Sequence, residues 1–114
     1  QGYSSAASDV YKRQVYVDAK STLYRFEQPM VFSGSELQFI CQTPYYHIFR
    51  VYDLADSECH LKVCENSNGY VPCLCDCINK FQSEIQKHKA DLHGVKIQIP
   101  PTHENLRFSQ QITL

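Results

Sequence analysis

The stretch from Ile78 to Pro101 constrains this chain most, because its apolar period changes partway along from that of a helix to that of a strand. Ile78, Phe81, Ile85 and Leu92 recur at the spacing that places side chains on one helical face. Gly94 stands where a helix ends on a residue tolerant of positive φ. Val95, Ile97 and Ile99 then alternate with Lys96 and Gln98, as in a strand with one buried and one solvated face. Pro100 and Pro101 cannot donate to a sheet, so the strand stops there. The expectation is one helix over 78–92 packed on a strand at 95–99, with Ile85, Leu92, Val95, Ile97 and Ile99 buried.

Upstream, aromatic and β-branched residues predict strands at 22–28, 36–42, 45–52 and 60–64. Turn chemistry separates them at Ser33-Gly34-Ser35, Thr43-Pro44, 53–57 and 66–69. Within 45–52, the run Tyr45 to Arg50 offers an aromatic and basic surface on which bases stack, but reads better as a core strand.

The pattern over 78–101 resembles the second half of a KH domain, the small RNA-binding module, of the kind found in vigilin-type multi-KH proteins. Ile78 stands in the position that precedes the family's Gly-x-x-Gly loop, and Ile85 in the first buried position of the helix after it. Val95 to Pro101 matches the strand that follows. The resemblance implies an α+β fold, with a small antiparallel sheet packed by helices over 58–114. It makes His60–Cys64 the first strand, Pro72–Cys77 a short first helix, 102–111 a variable loop and Ile112–Leu114 the start of a third strand. Residues 15–57 then form a β-rich upstream segment. It also implies that RNA bases lie in the groove between the 78–92 helix and the 95–99 strand, with candidate contacts at Asn79, Lys80, Phe81, Gln82, Ile85, Lys89 and Lys96.

The glycine slot itself holds Asn79-Lys80-Phe81-Gln82. KH domains grip about four nucleotides with this loop, and glycine lets backbone approach phosphate without a Cβ in the way. The substitution predicts weak or lost binding of single-stranded RNA. Two alternatives stay open: a structural or protein-interaction scaffold that contacts neighbouring KH domains, and a fragment resembling a tubby-like phospholipid scramblase, in which 81–85 is a strand.

Charge bears on the choice. Residues 15–77 carry four Lys or Arg against eight Asp or Glu, and residues 78–114 carry five against three. The sign downstream suits nucleic acid, but the excess is small for a basic footprint. An apolar fraction of 43% supports a real core. No apolar run is long enough to span a bilayer, and no signal peptide is visible. A cytoplasmic, non-enzymatic module follows as the expectation, with no cofactor and no small-molecule substrate.

Residues 1–14 resemble the translation of a sequencing-library adaptor, so the native sequence is expected to start near Val15 as a fragment. Six Cys, three of them as Cys73-Leu-Cys75-Asp-Cys77, permit a disulfide framework. Their spacing is a poor match to paired zinc knuckles, so no metal site is expected and the reading favours reduced thiols. The five His show no nucleophile partner pattern.

Overall fold

The computed structural model describes residues 14–114, so the reading of residues 1–14 as adaptor lies, but for Gln14, outside the described residues. The fold is α+β, with two helices, a four-stranded sheet and a two-stranded ribbon among the described residues. In chain order the elements are β1 (Tyr16–Ser21), β2 (Met30–Ser33), α1 (Gly34–Gln42), β3 (Tyr46–Tyr52), β4 (His60–Cys64), α2 (Val71–Gln86), β5 (Lys96–Ile99) and β6 (Ile112–Thr113). A single 3-10 turn, Ser67–Gly69, leads into α2.

The central strand is β3. It alternates strictly, with Tyr46, Ile48, Arg50 and Tyr52 buried and His47, Phe49 and Val51 half-buried. This is the core strand favoured over a base-stacking platform. β1 lies parallel to β3, with Tyr16 opposite Tyr46 and Ser21 opposite Val51. A parallel pair needs a long crossover, and residues 22–45, including β2 and α1, supply it. β4 returns antiparallel to β3, and β6 completes the sheet beside β4.

Three upstream expectations are corrected. The strand expected at 22–28 lies one element earlier, at Tyr16–Ser21, while 23–28 bends over the sheet. The strand expected at 36–42 is the helix α1. Its cause is a capping box: Ser33 Oγ accepts from Glu36 N at 3.0 Å, and Glu36 Oε1 accepts from Ser33 N at 2.9 Å. Two orphan donors are thereby satisfied at once, and Leu37 and Ile40 turn onto the core. Finally, 15–57 is not a separate upstream unit. The 57/58 boundary runs through the β3–β4 hairpin, and one core joins Met30, Phe32, Leu37, Ile40, Tyr46 and Ile48 to Cys64, Val71, Cys75, Ile99 and Leu106.

The helix expected at 78–92 begins at Val71 and ends at Gln86. Pro72 sits in its first turn, where no intrahelical N–H is needed. The short helix expected at 72–77 is therefore its first half. Nothing between Ile78 and Ser83 breaks a helix, so it runs on. It ends in a Schellman arrangement, with Ala90 N donating to Ile85 O at 3.3 Å and Lys89 N to Gln86 O at 3.0 Å. At the helix end the residue with positive φ is Lys89 (φ 62) rather than Gly94, whose φ of 84 serves the loop before β5. The strand expected at 95–99 forms at Lys96–Ile99, but pairs with β2 rather than joining β4 and β6. Of the five residues expected to be buried there, only Ile99 is fully so; Ile85, Leu92, Val95 and Ile97 are half-buried.

Acidic and basic side chains line the β1 side of the core. Lys20 Nζ lies 2.9 Å from Glu36 and 3.5 Å from Asp18, and Tyr46 donates its hydroxyl to Asp18. Burial and the Asp18 carboxylate hold the Tyr46 phenol well above its usual range. For Glu36, burial pushes the carboxyl up, but the hydrogen bonds from Lys20 and Ser33 with the Lys20 charge outweigh it and leave it below 4.5.

Two outcomes follow. Ile99→Ala should cost about 2–5 kcal/mol in denaturant unfolding, whereas Ile97→Ala, on a half-exposed site, should cost clearly less. Because the Glu36 carboxyl is depressed in the folded state, its stabilisation is present above the unfolded value of 4.5 and is lost as pH falls below it. Glu36→Gln should therefore flatten the melting-temperature profile below pH 4.5 while leaving its shape at neutral pH unchanged.

Candidate functional site

The N-terminus of α1, the middle of α2 and the segment leading into β5 enclose an open cleft of about 570 Å³. Ile78, Leu92 and Val95 supply its apolar lining, Gln38 and Gln82 two of its polar groups, and Lys96 its lysine. Each wall has a local cause. The capping box fixes the start of α1. Gly34 N donates to Val95 O at 2.9 Å, which extends the β2–β5 ribbon and draws the 92–95 segment alongside α1. Asp91 holds the other end: its Oδ1 accepts from Gln82 Nε2, from Gln86 Nε2 at 3.4 Å and from its neighbour Leu92 N at 3.0 Å. Across the helix pair, Gln38 Nε2 donates to Asn79 Oδ1 at 3.5 Å.

The expected groove between helix and strand is thus present, but it gathers few of the expected contacts. Gln82 and Lys96 line it together with Ile78. Asn79, Lys80 and Phe81 are exposed on α2 outside the lining, and Phe81 is 58% accessible. Ile85 is half-buried one turn further along, and Lys89 is the left-handed residue of the turn that follows the helix. The loop that the KH resemblance implies at 79–82 is therefore corrected to helix, in the third turn of α2. Its backbone N–H groups are committed to intrahelical bonds and cannot clamp phosphate. The same helix removes the strand that the scramblase alternative needs at 81–85.

A helix N-terminus attracts anions through its free N–H groups. At α1 three of the four are taken, by Glu36 Oε1, Val95 O and Ser33 Oγ. Glu36 also places a carboxylate in that first turn. The cleft is apolar at its floor and poor in phosphate-binding groups.

Sequence reasoning missed Ser33, Gln38, Asp91 and the whole α1 wall. The available signal was Ser33-Gly34-Ser35-Glu36, a capping-box pattern read only as a turn. Among the described residues, no group of three or more His, Cys, Asp or Glu converges on a point where a metal ion would be held, and no helix is long and apolar enough to cross a membrane. Comparison with protein-family models, curated proteins and solved structures returned no match.

Placing glycine in the former loop positions tests the corrected assignment. Asn79→Gly with Gln82→Gly should lower stability by about 1–2 kcal/mol, since glycine disfavours a helix interior and the Gln82–Asp91 bond is lost. Lys89→Gly should do the reverse, raising stability by about 0.5–1 kcal/mol by relieving left-handed strain at the helix end. Urea titrations of the two variants read both signs.

Proposed function

We propose that this chain is a protein-interaction module whose α1–α2–β5 cleft receives an apolar side chain from a segment of a partner protein. The observation that carries this reading is the composition of the cleft: an apolar floor of Ile78, Leu92 and Val95 beside a single lysine. A few polar groups around an apolar pocket orient a ligand, while the apolar area supplies affinity. Gln82 and Lys96 at the rim suit the backbone and an acidic side chain of a bound segment.

A KH-like RNA-associated role is the second reading, favoured by the position of Gln82 and Lys96 in the groove where bases are expected to lie. It asks one lysine and a capped helix to replace a phosphate clamp. RNA affinity on that reading is weak and its salt dependence shallow, because few counterions are released.

One pair of titrations separates the readings. A random peptide display library panned against the intact chain should yield apolar-anchored peptides, and Leu92→Glu should abolish their binding while leaving the far-ultraviolet circular dichroism unchanged. A homopolymeric single-stranded RNA should bind only weakly at low salt. Tight RNA binding with a steep salt slope, lost on Lys96→Ala, would favour the second reading and sink the first.

A further inference from the structure

Two of the six cysteines are in contact with each other. Cys41 on α1 and Cys75 on α2 bring their sulfurs to 3.0 Å, and this is the one sulfur–sulfur contact among the described residues. The other thiols are engaged elsewhere or stand apart: Cys64 is buried and donates to Asn66 Oδ1 at 3.1 Å, and Cys73 donates to Tyr70 O at 2.9 Å. All six are unbonded. A disulfide has a bond length of about 2.05 Å, so the pair needs an approach of only about 1 Å to close. Both helices are anchored around the contact. Gln38 meets Asn79 at 3.5 Å one turn away, and Asn68 Nδ2 ties the end of α1 through Ile40 O at 2.7 Å and Thr43 O at 2.6 Å.

We propose that Cys41 and Cys75 form a reversible disulfide that locks α1 to α2, with a peroxide as oxidant. The two partners are unequal. Cys41 is exposed and meets the oxidant, whereas Cys75 is 6% accessible and faces Cys41. Burial, with the hydrogen bond to Cys41, pushes the Cys75 thiol up, which keeps it protonated until its partner is oxidised. The Cys41 thiolate attacks one peroxide oxygen, the O–O bond breaks, and hydroxide leaves and takes up a proton. Cys41 is now a sulfenic acid. The Cys75 sulfur then attacks the Cys41 sulfur, the S–O bond breaks, and the departing hydroxide takes the Cys75 proton as water. Two thiols lose two electrons and two protons, and the peroxide is reduced to two waters.

The bond would lie one turn from the cleft on both helices. Cys41 follows Gln38 on α1, and Cys75 precedes Ile78 on α2, with Gln38 and Ile78 both lining the cleft. Oxidation fixes the spacing of two cleft walls; reduction frees it. This inference stands on the thiol geometry and holds whether the cleft takes protein, RNA or neither.

The test treats the intact chain with hydrogen peroxide at equimolar level and maps disulfides by mass spectrometry without reduction. Cys64, Cys73, Cys75 and Cys77 share one tryptic peptide, so the mapping is done on Cys73→Ser/Cys77→Ser, with fragment ions separating Cys75 from Cys64. The expected result is an intramolecular Cys41–Cys75 link that dithiothreitol reverses. The melting temperature should rise on the order of 10 °C on oxidation, and Cys41→Ser should abolish that rise. If the protein is isolated already linked, dithiothreitol should produce the same shift downward. A link through Cys64, an intermolecular dimer, or sulfinic acid at Cys41 with no link would overturn the proposal.

Discussion

A buried arginine on the central strand organises this fold. Arg50 is 1% accessible, between Ile48 and Tyr52 on the core face of β3. Guanidinium stays charged in proteins, and burial pulls the Arg50 pKa below its usual value. Among the described residues it has no carboxylate partner. Instead Nη1 donates to Lys20 O at 3.2 Å and Nη2 to Gln28 O, while Nε finds no acceptor. A buried charge must be met by dipoles or it is expelled. Those two carbonyls belong to β1 and to the bend before β2, so meeting the charge sets where β1 pairs and how the chain crosses back over the sheet. Met30 and Phe32 are delivered to the core by that same crossing. Replacing such a group by an apolar one is often tolerated when its partners are removed with it, but here the partners are backbone and remain.

How much of this was readable from the chain depends on whether a local pattern had a local cause. β3, β4 and β5 were legible within a residue or so, β3 and β4 from their aromatic and β-branched content and β5 from two-residue alternation between Gly94 and Pro100. α1 was not, because Leu37, Phe39 and Ile40 carry the composition of a strand and only the capping box four residues earlier says otherwise. The α2 stripe was misassigned for a related reason. Phe81 fits the spacing of Ile78 and Ile85, yet the buried and half-buried line runs through Val71, Leu74, Cys75, Ile78, Gln82 and Ile85, leaving Phe81 in solvent.

The candidate site was legible as a groove and illegible as a set of contacts. A groove between helix and strand follows from two neighbouring amphipathic elements. Its third wall, α1, and the pairing of β5 with β2 depend on residues far away in sequence, which no short motif announces. Importing the loop of a similar family pulled attention to Asn79–Gln82, whereas the helical register turned three of those four residues away from the cleft.

The β2–β5 ribbon pairs Met30 with Ile99 and Ser33 with Lys96, joining distant parts of the chain. The β3–β4 hairpin pairs neighbours, Tyr52 with His60. Closing a long loop costs entropy before the contact returns anything, so a chain built this way assembles its hairpin and helices early and its ribbon late. The cleft exists only once that ribbon has closed. The part of the molecule best placed to meet a partner is therefore the last to be completed, and on the way down the first to be given up.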